Sequence, residues 1–232
     1  MRIVAIGPSD MYGQGLEDCV GENNVNVCGP SPSKFAYPSL ASAHYNCECI
    51  NLAEPGISNL NILLKIYEFD FRPGDIALIE WVVPTTGALL QDDNSSASIH
   101  PWMAEDYKVI SKHPLFDSLM TYESTKANMT FKQQMDSAKK FYELHSNRHL
   151  TTLSWIFMDA GAMHLDRLDI PHAFATGEYW DPQYCPHTTD YIDFSGPGDF
   201  IDYGLDGSHP GPLQHKVWAE ETIKAFDKLL NK

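Results

Sequence analysis

Three short apolar runs constrain this chain more than any other feature. They are "RIVAIG" (2–7), "CECINLA" (47–53) and "DIALIEWV" (75–82). Each is too short for a buried helix and each runs into a turn, so each reads as a strand. Between the first two, Ser33 caps a helix from about Lys34 to Tyr45, with Tyr37, Leu40 and Ala41 on one face and Pro38 in its first turn. Between the second and third, "EPGISN" turns the chain into a helix over about 60–69, with Ser58 or Asn59 as N-cap. Strands alternating with helices predict an α/β fold with a parallel sheet covered on both faces and right-handed crossovers.

The rest of the chain is less regular. Residues 17–33 read as a loop, and 84–128 as an irregular insertion longer than an ordinary connection. Residues 129–147 read as one helix, with Phe131, Met135, Ala138, Phe141, Tyr142 and His145 three or four apart. Leu150–Met158, rich in Thr, Trp, Ile and Phe, is expected to be strand four. Residues 160–189 are read as irregular, "DYIDF" as a fifth strand or a loop, and Leu213–Leu230 as the last helix. At 232 residues the chain suits a single domain over 1–232.

In parallel sheets, ligands sit outside the carboxyl ends of the strands. Ser9 follows strand one, Gly56 follows strand two and Val83 follows strand three, so all three face one crevice. A serine there is either a plain turn residue or a nucleophile needing an imidazole to take its proton. "LDGSHPG" (205–211) supplies Asp206 and His209 three apart in a turn held by Gly and Pro. That spacing brings a carboxylate to Nδ1 and leaves Nε2 free for a serine. The N–H groups of Ser9 and Gly56 would then make an oxyanion hole, where one donor is worth about 3 kcal/mol of barrier.

Gly7, Ser9 and Gly13 in G-x-S-x-x-x-G, a glycine after strand two and D-x-x-H before the last helix resemble the SGNH/GDSL hydrolase superfamily over nearly the whole chain. The resemblance implies a flavodoxin-like three-layer α/β/α sandwich. It also implies hydrolysis through an acyl-serine, with Asp206 and His209 completing a triad. Two positions depart from the pattern. Pro8 stands where an aspartate is usual, and "EWVVPTTG" lacks the G-x-N-D asparagine that supplies a third oxyanion donor, resembling instead a W-(S/T)-x-P variant. Asn59, Thr85, Thr86 or a backbone N–H are the candidate substitutes.

The expected activity is therefore a serine esterase acting on small acyl esters, acetyl groups on carbohydrate among them. No metal or cofactor is called for. A non-catalytic carbohydrate-binding or structural module on the same fold, for example in a virion, is the alternative. The net charge of −15 argues against nucleic acid and anionic membranes as partners. The substrate is expected to be a small molecule or carbohydrate.

Several residues read as bland. The five cysteines, an odd number, read as reduced thiols, and the absence of a leader or long apolar stretch predicts a cytoplasmic or virion-associated chain. His164, Asp166, His172, Cys185 and His187 lack any spacing typical of a metal site. His100 and Trp102 are candidate rim residues, Tyr179, Trp180 and Tyr184 candidate sugar-stacking residues, and His215 is expected on the surface.

Overall fold

The computed structural model describes residues 1–21, 24–90, 96–104, 131–176, 191–194 and 200–231. Its centre is a five-stranded sheet made of β1 (Arg2–Ile6), β4 (Glu48–Asn51), β5 (Asp75–Trp81), β8 (His172–Thr176) and β9 (Tyr191–Asp193). In space they run β4-β1-β5-β8-β9, and every neighbouring pair is parallel. Counted in chain order among themselves, that is 2-1-3-4-5, the flavodoxin-like arrangement.

Alternation along the central strands builds two cores. Ile3 and Ala5 of β1 and Ile76 and Leu78 of β5 face one side, where α2 (Tyr37–His44) and the last helix, α6 (Pro212–Leu230), supply Tyr37, Ala41, Trp218 and Phe226. Val4, Ile6, Ala77 and Ile79 face the other side, covered by α3 (Asn59–Glu68) and α5 (Asn147–Arg167) through Ile62, Ile66, Met158 and Leu165. Every residue of β5 is buried, as a central strand with two covered faces requires. Burying each large apolar side chain stabilises by about 1.5–3 kcal/mol. The three layers predicted from the alternation are present.

Five local expectations are corrected. Leu150–Met158 is helix, not strand: it lies inside α5, where Leu150, Ser154, Met158, Ala162 and Leu165 are buried at helical spacing. Ser146 caps that helix by accepting from the His149 N–H at 3.2 Å, which also ends the preceding helix, α4 (Phe131–Leu144), earlier than expected. The fourth sheet strand is β8, inside the stretch read as irregular. The loops at 17–33 and 84–128 each carry a small antiparallel pair: β2 (Val20–Gly21) with β3 (Asn24–Cys28), and β6 (Gly87–Leu90) with β7 (Ser96–Ile99).

Ser33 does not cap α2. Ala36 occupies the N-cap position, and the Ser33 hydroxyl bonds the Asp18 carboxylate and accepts from the Phe35 N–H. Ser58 does cap α3, accepting from the Asn61 N–H at 3.2 Å. No helix among the described residues is long and apolar enough to cross a membrane. The four described cysteines are free; Cys19 is buried, and Cys28, Cys47 and Cys49 are half-buried.

Candidate active site

Ser9 opens a single helical turn, α1 (Ser9–Tyr12), directly beyond β1. As the first residue of that turn it has no carbonyl four residues back for its own N–H. The chain then reverses through Gly13 and Gly15. Gly15 has φ +84°, and a Cβ there would fall 2.8 Å from Asp206 Oδ1. Only glycine both tolerates that conformation and lets the last turn come so close.

That last turn is built by its own side chain. Asp206 Oδ1 accepts from the backbone N–H groups of Ser208 and His209, at 3.0 and 3.1 Å. Its Oδ2 lies 2.6 Å from His209 Nδ1. Nδ1 therefore carries the proton and Nε2 is left as the basic nitrogen. Burial alone would raise the Asp206 pKa, but the hydrogen bonds and charge of His209 outweigh it and hold the carboxyl at about 2. Burial alone would lower His209, but its bond to Asp206 and the charge of Asp10 outweigh that, and its pKa is raised.

The two turns meet through the backbone. The Leu205 N–H donates to the Gly15 carbonyl at 2.7 Å, and Gly204 lies so close that a Cβ on it would sit 2.8 Å from the same oxygen. Across the carboxyl ends of the strands lies a cavity of about 240 Å³ whose lining includes Ser9, Asp10, Gly56, Glu80, Thr86 and His100. Gly56 has φ +72°, a value that again favours glycine. His100 is hydrogen-bonded to the Gly56 backbone, and burial pushes its pKa down to about 4, so the ring is neutral near pH 7.

Ser9 and Gly56 thus share one cavity, and Asp206 and His209 form one pair on the turn tied to the Gly15 loop; neither of that pair is on the cavity lining. The suggested substitutes for the missing asparagine fare differently. The Asn59 amide donates to the Val82 carbonyl (3.0 Å) and Ser154 Oγ (3.1 Å), while its oxygen accepts from the Val82 N–H at 2.9 Å. That amide ties α3 to β5 and α5 and does not line the cavity. The Thr85 carbonyl accepts from Tyr142 Oη at 2.8 Å, and it is the neighbouring Thr86 that lines the cavity.

His215 is not on the surface. It is fully buried, accepts from the Tyr37 N–H at Nδ1 (3.3 Å), and burial lowers its pKa to about 4. His172 lies 3.9 Å from Asp166, and no cluster that could hold a metal occurs among the described residues. Tyr179, Trp180, Tyr184, Cys185, His187 and the Trp102 side chain lie outside the described residues.

Glu80 has no counterpart in the sequence reading. It is a fully buried carboxyl on the cavity lining, in a strand whose other residues from Ile76 to Trp81 are apolar. An acid inside "IALIEWV" was the available signal.

This is the fold of the SGNH/GDSL hydrolases, with the cavity at the carboxyl ends of the strands as such sheets place it. No family model matches the sequence, and no curated protein matches it. Among solved structures, the chain is similar to a carbohydrate esterase whose active site displays divergent catalytic and non-catalytic binding functions. The TM-score is 0.51 at 10% identity, over 98% of this chain and 64% of that one. An acetyl xylan esterase from the rumen bacterium Butyrivibrio proteoclasticus gives 0.49 at 10% identity, over 99% and 64%. A lipolytic protein of the G-D-S-L family from Desulfitobacterium hafniense gives 0.35 at 12%, over 97% and 98%. The chain spans less than two thirds of the length of the two esterases. At such identities the likeness is one of fold.

Proposed function

We propose that the protein is a serine hydrolase that cleaves small acyl esters, with acetylated carbohydrate as the substrate class. Ser9 Oγ attacks the ester carbonyl. His209 Nε2 takes the serine proton and returns it to the leaving alcohol, and Asp206 holds the ring by Nδ1 and stabilises its charged form. The Ser9 and Gly56 N–H groups receive the oxyanion. Water then hydrolyses the acyl-serine by the same route.

The observation that carries this reading is the meeting of the two turns: the Leu205–Gly15 backbone bond at 2.7 Å brings the Asp206–His209 pair to the loop that follows Ser9. The carbohydrate part of the reading is supported by the kind of enzyme that shares the fold.

A non-catalytic binding module is the second reading. It is favoured by the engagement of the Asn59 amide inside the protein, which takes the one candidate asparagine away from the role of third oxyanion donor. A fluorophosphonate probe separates the two. An activated Ser9 is labelled, and Ser9→Ala abolishes both labelling and p-nitrophenyl acetate hydrolysis, lowering kcat by about 10⁴ or more with an unchanged circular dichroism spectrum. Hydrolysis retained in that variant overturns the first reading.

A further inference from the structure

The mechanism above leaves one buried acid unused. Glu80 is 2% exposed, and its Oε2 accepts from the Tyr37 phenol at 2.8 Å. A Cβ placed on Gly7 would fall 2.8 Å from the Glu80 Cβ, so this side chain leaves the sheet directly beside the turn that leads into Ser9. It lines the cavity together with Ser9 and Asp10. Its partner across β8 is Ala175, and no ion pair among the described residues includes it. A carboxylate buried against a phenol, an alanine and a second acid is costly; the same carboxyl with its proton is not.

We propose that Glu80 holds a proton beside the nucleophile turn, which leaves Asp10 the anionic member of this acid pair and makes it a second carboxylate acting on His209 alongside Asp206. Tyr37 donates to Oε2, so Oε1 carries the proton and is the oxygen able to donate. Burial and the Asp10 charge both push the Glu80 carboxyl well above the usual range, and the Tyr37 bond offsets only part of it. The same Asp10 charge favours the protonated form of His209.

Among the described residues, the other titratable groups around this set are Tyr37 on α2, Cys49 on β4, the neutral His100 on the cavity lining, His215 on α6, and Asp202 and Asp206 on the last loop. Tyr37 stays protonated because burial and both acids raise it, and His215 stays neutral. Asp10 and Glu80 are thus positioning residues. Asp10 acts through His209, whose charged form it favours when the ring takes the serine proton, and the neutral Glu80 leaves that charge on Asp10. The catalytic part of this inference rests on the function proposed above; the acid pair itself does not.

The test reads His209 directly. In protein labelled at histidine, nuclear magnetic resonance gives the titration midpoint of His209 in wild type, Asp10→Asn and Glu80→Gln. Asp10→Asn is expected to lower it by at least about half a pH unit, and Glu80→Gln to move it by less than about 0.2 unit. The infrared difference spectrum between wild type and Glu80→Gln at neutral pH is expected to show the C=O band of a protonated carboxylic acid, lost in the variant.

A His209 midpoint unmoved in Asp10→Asn, an equal fall in Glu80→Gln, or a missing acid band each overturns the proposal. The infrared measurement needs only wild type and Glu80→Gln, and so judges Glu80 even where Asp10→Asn fails to fold. If Ser9 takes no fluorophosphonate, the hydrolase reading fails, while the midpoints and the acid band still decide the acid pair.

Discussion

Asp206 and His209 link pH to stability in opposite directions. The folded pKa of Asp206, about 2, lies below the ordinary 3.8, so its contribution is present above that value and lost as pH falls through 2. His209 is raised above 6.5, so its contribution is complete below 6.5 and lost as pH rises through the folded value. The pair therefore stabilises most between pH 3.8 and 6.5. Asp206→Asn should lower Tm most near about pH 5, with the deficit shrinking toward both extremes in thermal melts across pH. Because the base must be neutral, the acid limb of kcat/KM should have its midpoint above 6.5. The same variant should move that midpoint down and cut kcat by about 10⁴. Asp206 and His209 were legible because a D-x-x-H spacing closes on itself within one turn. Glu80 and His215 were not, since their burial is imposed by elements far away in sequence: Tyr37 packs against both.

Ser58 ends the loop that carries Gly56 and begins α3, so it couples a local cap to the site. Ser58→Ala removes the bond to the Asn61 N–H and should lower stability by about 1 kcal/mol, read as a lower urea midpoint at unchanged slope. That cap was visible in the sequence because Ser followed by an apolar helical pattern is a local signal. The α5 error has the opposite origin. "LTTLSWIFM" carries the β-branched and aromatic content of a strand, yet its buried positions recur every three or four residues once Ser146 is counted as a cap. Packing of Gly161 against Ile66 and Trp81 then holds α5 close to the sheet. The true strand, "HAFAT", is five residues long and combines small and polar residues with a single large apolar one, so little local pattern announced it. The β6–β7 pair escaped notice because its small residues give no clear alternation.

At the scale of the molecule, the parallel sheet and its two cores follow from the alternation of short apolar runs with helices, whereas the strand order is set by which strands pair in space. The last helix, α6, follows the His209 turn and buries Phe226 completely in the core on that face of the sheet. Phe226→Ala should cost about 3–5 kcal/mol in denaturant unfolding, with kcat per folded molecule largely kept because the cavity is not lined by that ring. The Leu205–Gly15 bond has a consequence in time as well as in space. A ribosome adding about 5–20 residues each second needs roughly 10–40 seconds to travel from Ser9 to His209. Throughout that interval the serine lacks the imidazole that would activate it, so on the proposed reading the nascent chain is chemically silent until His209 has been added and its turn has docked.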